Sequence, residues 1–207
     1  MHFAVDEHPG LRPPGFKHSL YACLVTPRPI GWMTTISAGG VLNLAPFSFF
    51  NLIASDPLCC MYCVNGAHAA GGPKDSLANV REVGEFVFNL CTAELGPQMN
   101  LTAANSPRDV DEMKAAGLEA AASISVRPPR VKASPIALEC KVFDIVELPS
   151  TERTRNAMIM GRVEVVHIAD EVVVDGMIDF ERIKPLGRMG YNDYAVADDL
   201  FTMVRPD

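Results

Sequence analysis

Asn43-Leu44-Ala45-Pro46-Phe47-Ser48-Phe49-Phe50-Asn51 is the stretch on which the reading of this chain turns. Pro46 has no N–H to give to a sheet ladder, so it marks a strand end or a bulge. Just beyond it, Ser48 and Asn51 place polar groups among Phe47, Phe49 and Phe50. Aromatic walls with a few placed polar groups describe a small-molecule pocket. The same residues also suit a core segment with polar caps, and the stretch taken alone favours that plainer reading.

Working outward, Ile30 to Ile36 and Val41 to Leu44 flank Ser37-Ala38-Gly39-Gly40, the pattern of a hairpin with a glycine turn. Leu58 to Val64 is a continuous apolar run of strand length and reads as a buried strand. Leu77, Val80 and Val83 recur at helical spacing within Asp75 to Val83, with Asp75 as the expected N-cap and Gly84 just past the end. Glu85 to Leu90 returns to strand character. Thr92 to Leu118 reads as mainly helical, broken at Pro97 and around Asn105 to Pro107. Ala137 to Leu148 and Met158 to Ile168 read as two long strands, and Glu171 to Asp175 as a short third. This order lacks the regular strand–helix alternation of a doubly wound sheet. The expectation is a mainly β fold, a β-barrel with attached helices. Its organisation reads as an N-terminal arm over 1–18 and a single domain over 19–207 that includes a C-terminal extension.

Composition agrees. The chain has 207 residues, 48% hydrophobic and 21% charged, enough apolar material for a full core and unlike a disordered chain. A formal net charge of −7 argues against a nucleic-acid partner, because a phosphate backbone selects basic surfaces. It leaves room for one small phosphorylated ligand, which needs only a local positive pocket. No apolar run is long enough to span a membrane, and Met1 to Gly15 has no signal-peptide pattern. Six cysteines without such a signal predict reduced thiols and a cytoplasmic location.

Cys59, Cys60 and Cys63 form a CCxxC cluster, but on a strand Cys60 and Cys63 point to opposite faces. Cys59 and Cys63 share a face about 13 Å apart, at ~3.3 Å per residue. Neither pair can chelate an ion, and these cysteines read as packing. The five histidines show no HExxH, and no GxSxG elbow is present. No metal site is expected. Gly66 to Ser76 superficially resembles a phosphate loop without matching one, since Gly72 and Pro73 precede Lys74. It still sets a lysine, a hydroxyl and free amides at a helix start, which favours an anion. The carboxylate of Asp75 opposes that, and an ordinary capped helix is an equal alternative.

Val25-Thr26-Pro27-Arg28-Pro29-Ile30-Gly31-Trp32, Thr34-Thr35, the Asn43 to Asn51 stretch, Ser55-Asp56-Pro57, Lys74 to Asn79 and Gly84 to Asn89 together resemble the flavin reductase-like, FMN-binding split-barrel family, which includes flavoredoxin. The match runs over roughly Ser19 to Val166, and Gly187 to Tyr191 resembles a C-terminal element of some members. The resemblance implies a Greek-key split barrel that forms a homodimer, with FMN, or FAD in its place, near the dimer interface. Thr34 and Thr35 would lie along the isoalloxazine ring, and Ala45 and Pro46 would wall it. Ser48, Phe49 and Asn51 would serve the ribityl–phosphate end. Lys74, Asp75 and Ser76 would close around the phosphate, and Arg188 would either approach the flavin or close the barrel.

The activity implied is a flavin oxidoreductase that passes electrons from NADH or NADPH through FMN to free flavin, oxygen or a partner oxygenase. The alternatives are a flavoredoxin-like electron carrier fed by a protein and an oxidase of the pyridoxamine-phosphate type, which shares the barrel. The redox chemistry would belong to the flavin, so no catalytic side chain is expected. No G-x-G-x-x-G follows a strand, so a nicotinamide would stack directly on the flavin in an open cleft.

Overall fold

The computed structural model describes residues 1–151 and 155–206. Its strands are β1 (Arg28–Pro29), β2 (Gly31–Ile36), β3 (Leu42–Phe47), β4 (Phe50–Ser55), β5 (Leu58–Asn65), β6 (Glu85–Leu90), β7 (Ala120–Ala121), β8 (Arg130–Val131), β9 (Ile136–Leu148), β10 (Asn156–Ile168), β11 (Val173–Val174), β12 (Met177–Ile178), β13 (Leu186–Arg188) and β14 (Tyr194–Val196). The helices are α1 (Asp75–Val83), α2 (Gly96–Leu101), α3 (Glu112–Ala115) and α4 (Phe180–Ile183).

One antiparallel sheet dominates, in the order β3-β2-β6-β9-β10-β5-β4. Its two edge strands are consecutive in the chain and are joined only by Ser48 and Phe49. A two-residue link cannot bridge the width of a flat seven-stranded sheet, so the sheet curls until its edges meet. The result is the mainly β split barrel that the sequence led us to expect. Pro46 lies inside β3, one residue before its end, and is tolerated because β3 is an edge strand with no neighbour on one side.

Met33, Cys60, Tyr62, Phe86, Cys140 and Ile159 fill the interior of the barrel. Gly161 on β10 makes room for them: a Cβ there would stand 2.5 Å from the Phe86 ring and 3.2 Å from Cβ of Cys140. Leu77 and Val80 bring the apolar side of α1 onto the same core. The helix stops at Gly84, whose φ of 73° is left-handed and costs a glycine little. The opposite face of β2 is also covered, with Trp32 packing beside Met99 and Met113 of α2 and α3 and donating to Thr102 Oγ1 at 2.9 Å.

Several expectations need correction. The stretch from Thr92 to Leu118 holds only two short helices, α2 and α3, and is otherwise turn and loop. Pro97 does not break a helix there; it sits in the first turn of α2, where its missing N–H has no partner to lose. Asp75 is not the N-cap of α1. Lys74 holds that position, with no side-chain cap, and the Asp75 carboxylate turns to an ion pair instead. The short strand expected at Glu171 to Asp175 is reduced to Val173–Val174, behind a 3-10 turn over Asp170–Val172.

A second, three-stranded sheet, β1-β13-β14, ties the region before the barrel to the C-terminal part of the chain. Arg28 reinforces the junction. Its buried guanidinium donates to the carbonyls of Ala22, Val25 and Met189 and to Ser48 Oγ.

Candidate functional site

Two adjoining hollows open where the β3–β4 corner, the start of α1, the loop after α2 and the small sheet converge. The larger, about 350 Å³, is lined by Phe49, Ser48, Arg28, Lys74 and Tyr194, among others. The smaller, about 110 Å³, runs past Asn43, Ser76, His68 and Glu112. Pro46, Phe47, Lys74 and Ala103 line both, so the two form one bent cleft.

Aromatic side chains such as Phe47, Phe49 and Tyr194 share the walls with an equal or larger polar surface, and several of the polar groups are held in place. Ser76 Oγ accepts from Asn43 Nδ2 at 2.8 Å, and that amide also donates to Thr35 Oγ1 at 3.2 Å. Asn79 Nδ2 donates to the same Thr35 hydroxyl at 3.0 Å. Thr35 therefore anchors the side chain that positions Ser76. Ser48 is fixed by Arg28 Nε at 3.2 Å, and the Arg28 guanidinium lies 5.9 Å from the Phe49 ring.

Charge within the cleft is unevenly compensated. Asp75 is neutralised by Arg108, whose other amino group donates to the carbonyls of Gly71 at 2.8 Å and Pro73 at 2.9 Å. His68 Nε2 is a further neighbour of Asp75, at 3.5 Å. The Ala70 N–H donates to His68 Nδ1 at 3.0 Å, so that nitrogen keeps its lone pair and the ring donates through Nε2 to the Ser106 carbonyl at 3.1 Å. Glu112 is buried, and burial pushes its carboxyl above the usual range, with Asp75 and Asp111 adding to the effect. Lys74 differs from all of these. Burial pulls its ammonium below the usual lysine value, and it has no ion-pair partner among the described residues. A desolvated cation shared by two hollows, beside two hydroxyls, suits a phosphate or another small anion. Among the described residues, no group of three His, Cys, Asp or Glu side chains gathers to hold a metal.

Of the site residues expected from sequence, Ala45, Pro46, Ser48, Phe49, Lys74, Asp75, Ser76 and Arg188 all line this cleft. Three do not. Thr34 and Thr35 are fully buried: Thr34 Oγ1 accepts from Asn89 Nδ2 at 3.0 Å, and Thr35 acts through Asn43. Asn51 is exposed on β4, where its side-chain Oδ1 accepts from the Leu52 N–H at 2.9 Å. Residues that the sequence reading did not select include Arg28, Phe47, Cys63, His68, Arg108 and Glu112. Arg28 lies within a quoted motif, but its burial against neutral acceptors becomes visible only in three dimensions. Arg108 sits in a polar loop 33 positions from Asp75, and nothing local marks it.

The family model for the flavin reductase like domain matches residues 23–185. An uncharacterized protein of Aquifex aeolicus is 33% identical over 198 residues, covering 95% of this chain and 96% of its own. Among solved structures, nitrilotriacetate monooxygenase component B from Bacillus cereus superposes with a TM-score of 0.86 at 29% identity, covering 98% of both chains. Flavoredoxin of Desulfovibrio vulgaris shares the fold, with a TM-score of 0.76 at 17% identity over 91% of this chain and 97% of its own.

Proposed function

The chain belongs to the flavin reductase-like domain family, and on that premise we propose that the bent cleft binds FMN and that the protein is an oxidoreductase drawing electrons from NADH or NADPH. The observation that carries the reading is the partly buried Lys74 ammonium, without an ion-pair partner among the described residues, where the hollow lined by Ser48 meets the hollow lined by Ser76. Lys74 and the two hydroxyls would hold the phosphate, which brings the negative charge that the lysine lacks. Pro46, Phe47 and Phe49 would wall the ring system and exclude water from it. The bent shape suits a ligand with a flat apolar end and a charged end.

Bound FMN would supply the two-electron redox chemistry. The chain's own part is to bind, orient and shield. Arg108 keeps Asp75 from opposing the phosphate, and Arg28 fixes Ser48 while tying the small sheet over the cleft. Burial raises the pKa of Glu112, and its side chain accepts from the Leu44 N–H at 3.3 Å on the wall of the smaller hollow.

Electrons would leave to free flavin, oxygen or a partner oxygenase. The similarity to a monooxygenase component supports the last of these. The proposed unit is a homodimer in a cytoplasmic setting. Leu52, Ile53 and Phe143, each about half exposed on the outside of the barrel, offer apolar surface to a second copy. All six cysteines are free, in keeping with a reducing compartment. No helix among the described residues is long and apolar enough to cross a membrane.

The test is retention of FMN through gel filtration, followed by anaerobic mixing with each nicotinamide. Bleaching of the flavin by NADH or NADPH supports the reductase. Flavin retained but left oxidised by both, then reduced by a ferredoxin-type donor, favours the electron-carrier alternative. Failure to retain or quench FMN at high protein concentration overturns the reading.

A further inference from the structure

Beside the cleft lies a separate groove of about 620 Å³, lined by Ala93, Gly96, Leu186 and Asn192, among others. It shares Met99, Arg188 and Tyr194 with the larger hollow, so the two spaces meet across those three side chains. Arg188 stands at the boundary. Its guanidinium lies 4.4 Å from the centre of the Tyr194 ring and donates through Nη2 to the Tyr191 carbonyl. It has no carboxylate partner among the described residues. A cation stacked on an aromatic face keeps its remaining N–H groups in a fixed plane, ready for a planar or forked anion. Beyond it, Asn100 and Asn192 put amide donors and acceptors on the groove wall, while Ala93, Gly96, Met99 and Leu186 leave an apolar floor.

We infer that this groove is the subsite for the adenosine half of the nicotinamide dinucleotide, with Arg188 under the pyrophosphate that joins the two halves. The inference rests on the reading of the cleft as a flavin site reduced by a nicotinamide. Three features of the ligand correspond to three features of the wall. The nicotinamide half belongs in the cleft, where it can meet the flavin. The bridging pyrophosphate is the anion that Arg188 lacks. The adenosine needs an apolar floor with a few amides at its edge, and the groove supplies both. An anchor of this kind also explains how a chain without a glycine-rich dinucleotide loop can hold the whole donor.

The groove carries a selectivity of its own. Arg188 is the single charged side chain among the described residues that line it. The 2′-phosphate of NADPH needs a second cation, such as a nearby arginine, to offset its desolvation. None lines the groove among the described residues, so NADH is the preferred donor. Its KM should be lower than that of NADPH by roughly ten-fold or more, the scale of one unpaired ionic contact.

The experiment uses the FMN-loaded protein and two kinds of readout. ADP-ribose, which has the adenosine and the pyrophosphate but no nicotinamide, is titrated calorimetrically. NADH, NADPH and reduced nicotinamide mononucleotide are compared as reductants. Ala93→Trp fills the groove, and Asn100→Trp does so from an exposed helix position that leaves the core untouched. Expected results are ADP-ribose binding to the wild type, weakened at least ten-fold in both tryptophan variants and in Arg188→Gln. KM for NADH should rise by a similar factor in the tryptophan variants, while KM for the mononucleotide and the affinity for FMN stay as they were. Equal ADP-ribose binding by the wild type and Asn100→Trp overturns the inference, as does no binding to the wild type at millimolar concentration. If no nicotinamide reduces the flavin but ADP-ribose binding is still lost in the tryptophan variants, the groove stands and the electron-donor reading of the cleft falls.

Discussion

Arg108 and Asp75 lie 33 residues apart in sequence, and their side chains form an ion pair whose carboxylate partner lines the smaller hollow. The pair decides the sign of the charge offered there. Asp75 follows Lys74 directly, and with its carboxylate unmatched the two would cancel. Arg108 removes that cancellation and also grips the carbonyls of Gly71 and Pro73 just before the lysine. Replacing Arg108 by alanine should therefore weaken FMN by about 1 kcal/mol, the upper range for a partly exposed pair. Riboflavin, which has no phosphate, should be nearly unaffected. Fluorescence-quenching titrations with both ligands check this, and equal losses would reassign Arg108 to the fold.

Lys74→Ala should act on the phosphate more strongly. Loss of a charge-assisted hydrogen bond predicts FMN binding weaker by roughly 1.5–3 kcal/mol. Riboflavin affinity should hardly change, and the same titration distinguishes the two ligands.

Gly161→Ala tests the packing of the barrel away from the cleft. The new Cβ would meet the Phe86 ring at 2.5 and 2.6 Å, well inside contact distance. Overpacking of this kind costs roughly 1–3 kcal/mol, read as a lower urea midpoint. Phe86→Leu introduced together with it should recover part of the loss, because the shorter side chain vacates the place the methyl needs.

Glu139 gives the protein an acid-side stability slope. The residue is fully buried; burial works to raise its pKa, but hydrogen bonds from His167 at 2.6 Å and from Ser125 and Ile124 hold it down at about 2. A depressed carboxyl stabilises the fold above its unfolded value of 4.5 and loses that contribution as pH falls toward 2. Urea midpoints measured from pH 6 downward should decline across that window. Glu139→Gln should flatten the decline and cost roughly 2 kcal/mol at neutral pH. Its FMN affinity at pH 7 should match that of the wild type, since Glu139 lines neither hollow.

The sequence announced its strands well because their signals are local. Leu58 to Val64 and Glu85 to Leu90 are apolar runs of strand length, and α1 carries its own stop at Gly84. The helical reading of Thr92 to Leu118 failed for a tertiary reason. Met99 and Met113 are drawn onto the outer face of β2, and the chain bends to deliver them instead of continuing a helix. In the cleft, the residues contributed by the β3–β4 corner and by Lys74 to Ser76 were legible as motifs. Thr34 and Thr35 lie outside the cleft lining, and a threonine pair on a strand gives no sign of which face is sealed; here both hydroxyls accept from Asn43, Asn79 and Asn89. The importance of Arg28 and Arg108 could not be read locally, since their partners come from loops far along the chain.

The small sheet that covers the cleft is much shorter than the barrel it leans on. β1 spans two residues and β13 and β14 three each, against thirteen in β9 and thirteen in β10. Local opening free energy follows the amount of structure that must be given up, so this cover can swing away while the barrel remains intact. Opening of this sheet alone would release a molecule held beneath it without unfolding of the barrel, so a ligand off-rate faster than global unfolding is the expected outcome. Residence time and thermodynamic stability are thereby assigned to different pieces of one chain, and each can be tuned without disturbing the other.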